Sequence, residues 1–300
     1  MEGTGWAGGL ALIYSRLRGR CRYVVSSGDA VGPWVGSVRP GLGWLFTIYE
    51  KWLCRLAAGF IGWTPYLVGR ALTFGCPRGA TAAGFALHPK TSEAAAEARQ
   101  RIRRQLGIAD ATIVFGILGS LAWNSRVQFC YGWELASALR SVDRQDIAVI
   151  IVGGGTGSDH LRSLAAADLG KRLHLVGNVE NRFVLDYMAA MDVASLPQSV
   201  DGVGSFRYTT KISEYVAARL PTVTGQIPLA YDFDSGWLWR LPGPTPWHPT
   251  YIDAMTALMR RITWDELRAK AAQMPETLPE FDRPAQVRRI TGFIQDILDS

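Results

Sequence analysis

Residues 192–228 read Asp192-Val-Ala-Ser-Leu-Pro-Gln-Ser-Val-Asp-Gly-Val-Gly-Ser-Phe-Arg-Tyr-Thr-Thr-Lys-Ile-Ser-Glu-Tyr-Val-Ala-Ala-Arg-Leu-Pro-Thr-Val-Thr-Gly-Gln-Ile-Pro228. The pattern predicts strand, long loop, short helix, strand. Val193–Leu196 is a short apolar run closed by a turn signal, which suits a buried strand end. Gln198–Tyr208 is rich in Gly, Ser and Asp and reads as loop. Thr209 or Thr210 can cap the next helix, which runs to about Arg219 before Pro221 stops it. Lys211 and Glu214 are three apart and share one helix face, while Ile212 and Val216 turn toward a core. The unpaired amides of a helix start attract anions, and Lys211 adds to that pull. A carboxylate one turn in, Glu214, can accept hydrogen bonds from a sugar diol. The arrangement fits a nucleotide diphosphate, with phosphates at Thr210 and Lys211 and the ribose on Glu214. The plainer alternative is a surface Lys–Glu pair worth a few tenths of a kcal/mol.

Outward from this stretch the chain alternates. Expected elements are strand Thr112–Ile117, helix Val127–Arg140, strand Ala148–Val152, helix Asp159–Ala167, strand Leu173–Val176, helix Asn181–Ala190, strand Val193–Leu196, helix Thr210–Arg219 and strand Thr222–Thr224. Such alternation builds a parallel sheet with helices on both faces. Upstream, Leu10, Ile13, Tyr14 and Leu17 lie on one side of a helix, Tyr23–Ser27 is a strand, and residues 30–40 read as loop. Leu42, Leu45, Phe46, Tyr49, Trp52, Leu53 and Leu56 repeat at helical spacing, most simply as core packing. Gly59–Trp63 is a strand, Pro65 opens a helix, and Thr81–Phe85 ends another strand. His88–Ser92 is the hinge candidate, with Ser92 capping the next helix. After Gly225 a packed, irregular stretch leads into helices, the last being amphipathic over Pro284–Leu298.

Lys211–Val223 resembles the segment of family-4 glycosyltransferases in which an acid precedes a small-residue helix end and a Pro-Val-Ile-like strand. The resemblance covers most of residues 23–225. It implies an α/β fold of two Rossmann-like lobes of the GT-B type, the first incomplete and the second a parallel sheet flanked by helices. Residues 1–88 would be the partial acceptor-side lobe, 89–275 the nucleotide-sugar-binding lobe, and 276–300 a helix packing back on the first. In that family the acid corresponding to Glu214 holds the ribose. A second acid, eight residues earlier, faces the sugar; here Phe206 stands there, with Asp201 nearby but out of register. Arg219 stands where a Gly is usual. At the end of the first strand, Gly28 stands where many members carry a His, leaving Asp29 as the nearest polar candidate for catalysis. About twenty residues before Tyr23 cannot hold the βα units such a lobe begins with, so an N-terminal truncation is expected.

Gly119 and Ser120, after the Phe115–Leu118 run, are small enough for a phosphate to approach the backbone. Ser120 and Tyr131 replace the family's phosphate-binding Arg and Lys, so Arg126 or Arg207 is expected to supply the cation. Asn178 and Val179 are candidates to hold the nucleobase, though a plain strand-to-helix turn explains them too. Gly153-Gly-Gly-Thr-Gly157 follows a strand, but Ser158 breaks the dinucleotide fingerprint and no acid follows at the required strand end. A structural turn is the better reading, and an oxidoreductase is disfavoured.

The chain has 300 residues, a net charge of +6 and 48% hydrophobic residues, an ordinary globular composition. Residues 1–90 hold ten basic and three acidic residues, a charge of +7, so the remaining 210 carry −1. The excess, with Arg16, Arg18, Arg20 and Arg22 prominent, suits an anionic lipid surface or charged acceptor as well as a solvated face. No nucleic-acid-binding motif is present. Cys21, Cys54, Cys76 and Cys130 have no metal or redox spacing, and the start is not a signal peptide. Four reduced cysteines in a cytoplasmic protein, peripheral to the inner membrane face at most, are expected. The function implied is transfer of a sugar from a nucleotide-diphosphate sugar to a glycan, lipid-linked or small acceptor, with retention and no cofactor. The alternative is a donor-binding lobe that needs a partner chain.

Overall fold

Residues 5–84, 90–276 and 278–300 are described by the computed structural model. Residues 5–84, 201–213 and 278–300 make one unit, and 90–200 with 214–276 the other. Of the hinge expected at 88–92, His88 and Pro89 lie outside the described residues, as does Phe85.

The first unit runs α1 (Trp6–Leu17), β1 (Val24–Ser27), α2 (Val31–Val38), α3 (Gly43–Leu56), β2 (Gly59–Gly62), α4 (Pro65–Thr73) and β3 (Gly79–Thr81). Among the described residues the strands pair in parallel in the order β1-β2-β3, with Val24 opposite Gly59 and Phe60 opposite Gly79. Tyr23, Val25, Leu53, Phe60 and Leu67 fill the core. The unit also contains the last helix, Arg283–Leu298, whose Phe293 and Ile297 lie over Gly59; a Cβ there would meet each at 2.7 Å.

Two expectations fail here for physical reasons. Residues 31–38 are helix, not loop. Pro33 sits in the first turn, where its missing N–H forfeits no intrahelical bond. The glycines that read as loop residues are contact residues instead. A Cβ at Gly32 would lie 1.9 Å from Thr47 Oγ1, and one at Gly36 would lie 3.4 Å from the Gly43 Cα. The helical stripe of α3 is also not mainly core: Leu53 is buried, Phe46, Tyr49 and Leu56 are half-buried, and Leu42, Leu45 and Trp52 are exposed.

The second unit runs α5 (Ser92–Leu106), β4 (Ile113–Leu118), α6 (Trp133–Leu139), β5 (Ile147–Val152), α7 (Ser158–Leu164), β6 (Leu173–Gly177), α8 (Val184–Ala189), β7 (Val193–Leu196), α9 (Thr210–Ala217), β8 (Thr222–Gly225), α10 (Leu229–Asp232), β9 (Leu238–Leu241), α11 (Pro249–Arg261) and α12 (Trp264–Ala272). Only the first half of α9, through Ser213, is grouped with the first unit. All pairings among the described strands are parallel, in the order β6-β5-β4-β7-β8-β9. Every residue of β4 and β5 is buried, as expected of strands covered on both faces.

The cap of α5 is Thr91, one residue before the expected Ser92; its Oγ1 accepts from the Ala94 amide at 3.3 Å. Helix α6 begins at Trp133 rather than Val127. Asn124 and Phe129 exchange backbone hydrogen bonds, and Gln128 has φ +54°, so 124–129 is a tight loop. Strand β9 was not anticipated. Asp234 Oδ1 accepts from the Gly236 amide at 2.7 Å and turns the chain into it.

A buried ion network ties this unit together. Arg103, 1% exposed, donates to the carbonyls of Ala190 and Thr112 at 3.0 Å each and pairs with Asp192 at 2.6 Å. Asp192 also accepts from the Val114 amide at 2.8 Å and from Arg99 at 2.7 Å. The guanidinium therefore joins α5 to the starts of β4 and β7. No helix among the described residues is long and apolar enough to cross a membrane.

Candidate functional site

In the second unit the strand order reverses direction at β4: the chain moves from β4 outward to β5 and β6, then crosses back to β7, β8 and β9. In open parallel sheets, ligands bind beyond the carboxyl ends of the strands at such a reversal. Gly119 and Ser120 follow β4 there, Asn178 and Val179 follow β6, and Pro197 and Gln198 follow β7. Ser120 and Asn178 are exposed and Val179 half-buried. Arg126 lies exposed in the 124–129 loop. Among the described residues no group of three or more His, Cys, Asp or Glu side chains is arranged to hold a metal.

The glycines after β5 serve the loop after β4. A Cβ at Gly153 would lie 1.8 Å from the Gly119 carbonyl oxygen, and one at Gly155 would lie 2.5 Å from Leu121 C. The Gly119 amide donates to Val152 O at 3.0 Å, and Leu121 and Gly154 are joined at 3.0 Å. Residues 153–157 thus form a turn packed backbone to backbone against 119–121.

Helix α9 buries Ile212, Ser213, Tyr215 and Val216 and leaves Lys211 and Glu214 half-buried. Thr209 does not cap it. Its Oγ1 is buried and finds no partner among the described residues, while its carbonyl accepts from the Ile212 amide at 3.0 Å. Arg219, at the place of the usual Gly, adopts φ +56° just past the helix end. That left-handed conformation favours glycine. Arg219 retains it while donating to the carbonyls of Met274 and Pro275 at 3.3 and 3.0 Å.

A buried polar cluster underlies β7, and the sequence reading missed it. Glu134 is fully buried in the first turn of α6, and its Oε1 accepts from Ser195 Oγ at 2.8 Å. Tyr215 Oη donates to Ser195 O at 3.0 Å. Glu134 Oε2 and Tyr251 Oη have no partner among the described residues. Burial pushes the Glu134 carboxyl from its ordinary 4.5 up to about 7. The folded state therefore favours the protonated acid. The stability this adds is full below the unfolded pKa near 4.5 and lost as pH rises through about 7. The shift corresponds to roughly 3 kcal/mol. Urea midpoints should fall between pH 5 and pH 8 in the parent, and Glu134→Gln should remove most of that fall. An unchanged pH slope in the variant would show that Glu134 is not its source. An acid four residues after Cys130 and two after Gly132 was the available signal.

In the first unit Asp29 follows β1. Ser27 Oγ donates to Asp29 O at 2.8 Å, and the Asp29 carboxylate is ion-paired with Arg207 Nε. Asp201 is exposed, and its Oδ1 accepts from the amides of Val203 and Gly204 at 2.8 and 2.9 Å. Phe206 packs at the edge of this unit's core, its carbonyl accepting from Thr64 Oγ1 at 2.9 Å and Arg70 lying over its ring. The structure thus joins Asp29 to Arg207 and commits an Asp201 oxygen to its own loop. Gly28 is closely covered: a Cβ there would lie 2.8 Å from Trp63 Cδ2. The indole occupies the room a longer side chain would need.

The parallel sheets and their flanking helices make an α/β fold of the GT-B type. Residues 112–239 match the family model described as "Glycosyl transferases group 1". Among solved structures, the chain is similar to HepE of Anabaena in complex with UDP and glucose, with a TM-score of 0.69 and 16% identity over 98% of this chain and 77% of that one. It is similar to the UDP-forming α,α-trehalose-phosphate synthase of Burkholderia xenovorans in complex with glucose-6-phosphate (TM-score 0.62, 15% identity, 98% and 70% covered). The pneumococcal O-GlcNAc transferase GtfA in complex with UDP and GlcNAc gives a TM-score of 0.63 at 14% identity, with 97% and 55% covered. At such identities the likeness is one of fold. No curated protein sequence matches the chain.

Proposed function

We propose that this chain transfers a sugar from a nucleotide-diphosphate sugar to a glycan, lipid-linked or small acceptor, with retention and without a metal. The observation that carries the reading is the Gly119–Ser120 turn at the strand-order reversal of the six-stranded sheet, within the 112–239 match. Three of the similar structures hold UDP alone or with glucose or GlcNAc, which favours a uridine donor. In this reading the start of α9, with Thr210 and Lys211, stabilises the departing diphosphate, and Glu214 holds the ribose. Gly119 and Ser120 admit the phosphates, and Asn178 and Val179 border the base. Arg126, exposed in the 124–129 loop that follows β4, is the preferred second cation. Asp29, after β1, is the candidate catalytic residue that the first unit offers.

The purified chain should bind a UDP-sugar saturably in calorimetry and release UDP when acceptor is supplied. Binding without turnover would favour the second reading, a donor-binding chain completed by a partner, for which the glycine at position 28 speaks. Absence of binding to UDP- and GDP-sugars alike would end both.

A further inference from the structure

The basic excess of the first third is placed beside a surface that the glycosyl-transfer reading leaves unused. Helix α1 settles closely on α3 because Gly9 has no side chain; a Cβ there would coincide with Tyr49 Oη, at 1.7 Å. Between the helices runs an apolar groove of about 400 Å³. Its walls include Trp6, Leu10, Leu45, Ile48 and Trp52, each between 47% and 61% exposed, and Trp44, next to Leu45 on α3, is 66% exposed. Folded chains rarely leave so continuous an apolar and aromatic face in water.

The charge around it has one sign. Residues 5–56 contain seven Arg or Lys and two acids, Asp29 and Glu50. Both acids are taken by ion pairs, with Arg207 and Arg70. Cations sit directly on the exposed aromatics, Arg18 over Tyr14 at 5.2 Å and Arg55 over Trp52 at 6.0 Å. Exposed Trp and Leu flanked by Arg is the composition that partitions to the boundary between lipid headgroups and acyl chains. There the ring enters the interface and the guanidinium meets phosphate. An apolar partner surface would satisfy the groove but not the unbalanced cations, whereas anionic lipid satisfies both.

We infer that the α1–α3 face docks this protein on an anionic phospholipid bilayer, without crossing it. The inference is independent of nucleotide binding. It is tested by floating the full chain with vesicles of phosphatidylcholine, with or without about 30% phosphatidylglycerol. Binding to the anionic vesicles is expected, with a blue shift of tryptophan emission and weakening in high salt. The double variant Trp44→Ser, Trp52→Ser, at exposed positions, should retain its circular dichroism and bind about tenfold or more weakly. Arg18→Ser with Arg20→Ser should lose affinity for anionic vesicles. Absence of flotation, or flotation that these substitutions leave unchanged, overturns the inference. So does a self-association, seen in sedimentation velocity and lost in the tryptophan variant, that vesicles do not dissociate.

Discussion

Arg103→Met should lower the melting temperature of the second unit by about 10 °C, corresponding to roughly 3–4 kcal/mol. The substitution approximately conserves the length of the apolar stem but removes the charge that faces Asp192 in a site 1% exposed on the Arg103 side. It also strips donors from the carbonyls of Ala190 and Thr112. Leaving one member of a buried pair costs more than the pair contributes as a whole, because the remaining charge keeps its desolvation penalty. Here Arg99 and the Val114 amide still reach Asp192, which keeps the loss below the upper end of the usual range. Replacing both partners, as Arg103→Met with Asp192→Asn, should recover part of it. Calorimetric scans of the three chains decide the matter. A shift under 2 °C in the single variant would mean that the network carries little of the unit's stability.

Glu214→Ala should reduce kcat/KM for the donor by about 10- to 100-fold, the worth of one or two hydrogen bonds to a carboxylate. The side chain is half-buried on an eight-residue helix whose packing rests on Ile212, Tyr215 and Val216. The fold should therefore tolerate the change, and circular dichroism should match the parent. Glu214→Gln keeps an acceptor without the charge and should lose less. The loss belongs mainly in KM if the acid grips the ribose equally in ground and transition states. Lys211→Ala, in contrast, should act mainly on kcat, since a cation at the diphosphate gains most as the leaving group acquires charge. Donor affinity undiminished in Glu214→Ala would remove this acid from the site.

The alternation from Ile113 to Gly225 was legible because strands covered on both faces are continuous apolar runs, and Pro221 punctuates α9. What the sequence hid depends on contacts far along the chain. Glycines at 32 and 36 look like loop residues until α3 is laid against them. Strand β9 has four residues and no alternation, so its pairing with β8 alone reveals it. The start of α6 is moved six residues by a tight loop that periodicity does not register. In the candidate site, the types of residue were readable but not their engagements. Nothing local links Asp29 to Arg207, 178 residues away, or Glu134 to Ser195, 61 residues away. Arg219 likewise reads as a departure from the glycine pattern, whereas the backbone keeps the glycine's conformation and the long side chain finds carbonyl acceptors.

The indole of Trp63 lying on Gly28 sets a condition on how this chain could change. An imidazole introduced at position 28 alone would have to displace a ring it meets at 2.8 Å from its first carbon. Shrinking Trp63 alone would open a void in the same place. Each single step loses stability, and only the two together could be neutral. A mutational path that gives this strand end a histidine therefore runs through a valley, and engineering it is a two-position problem from the outset.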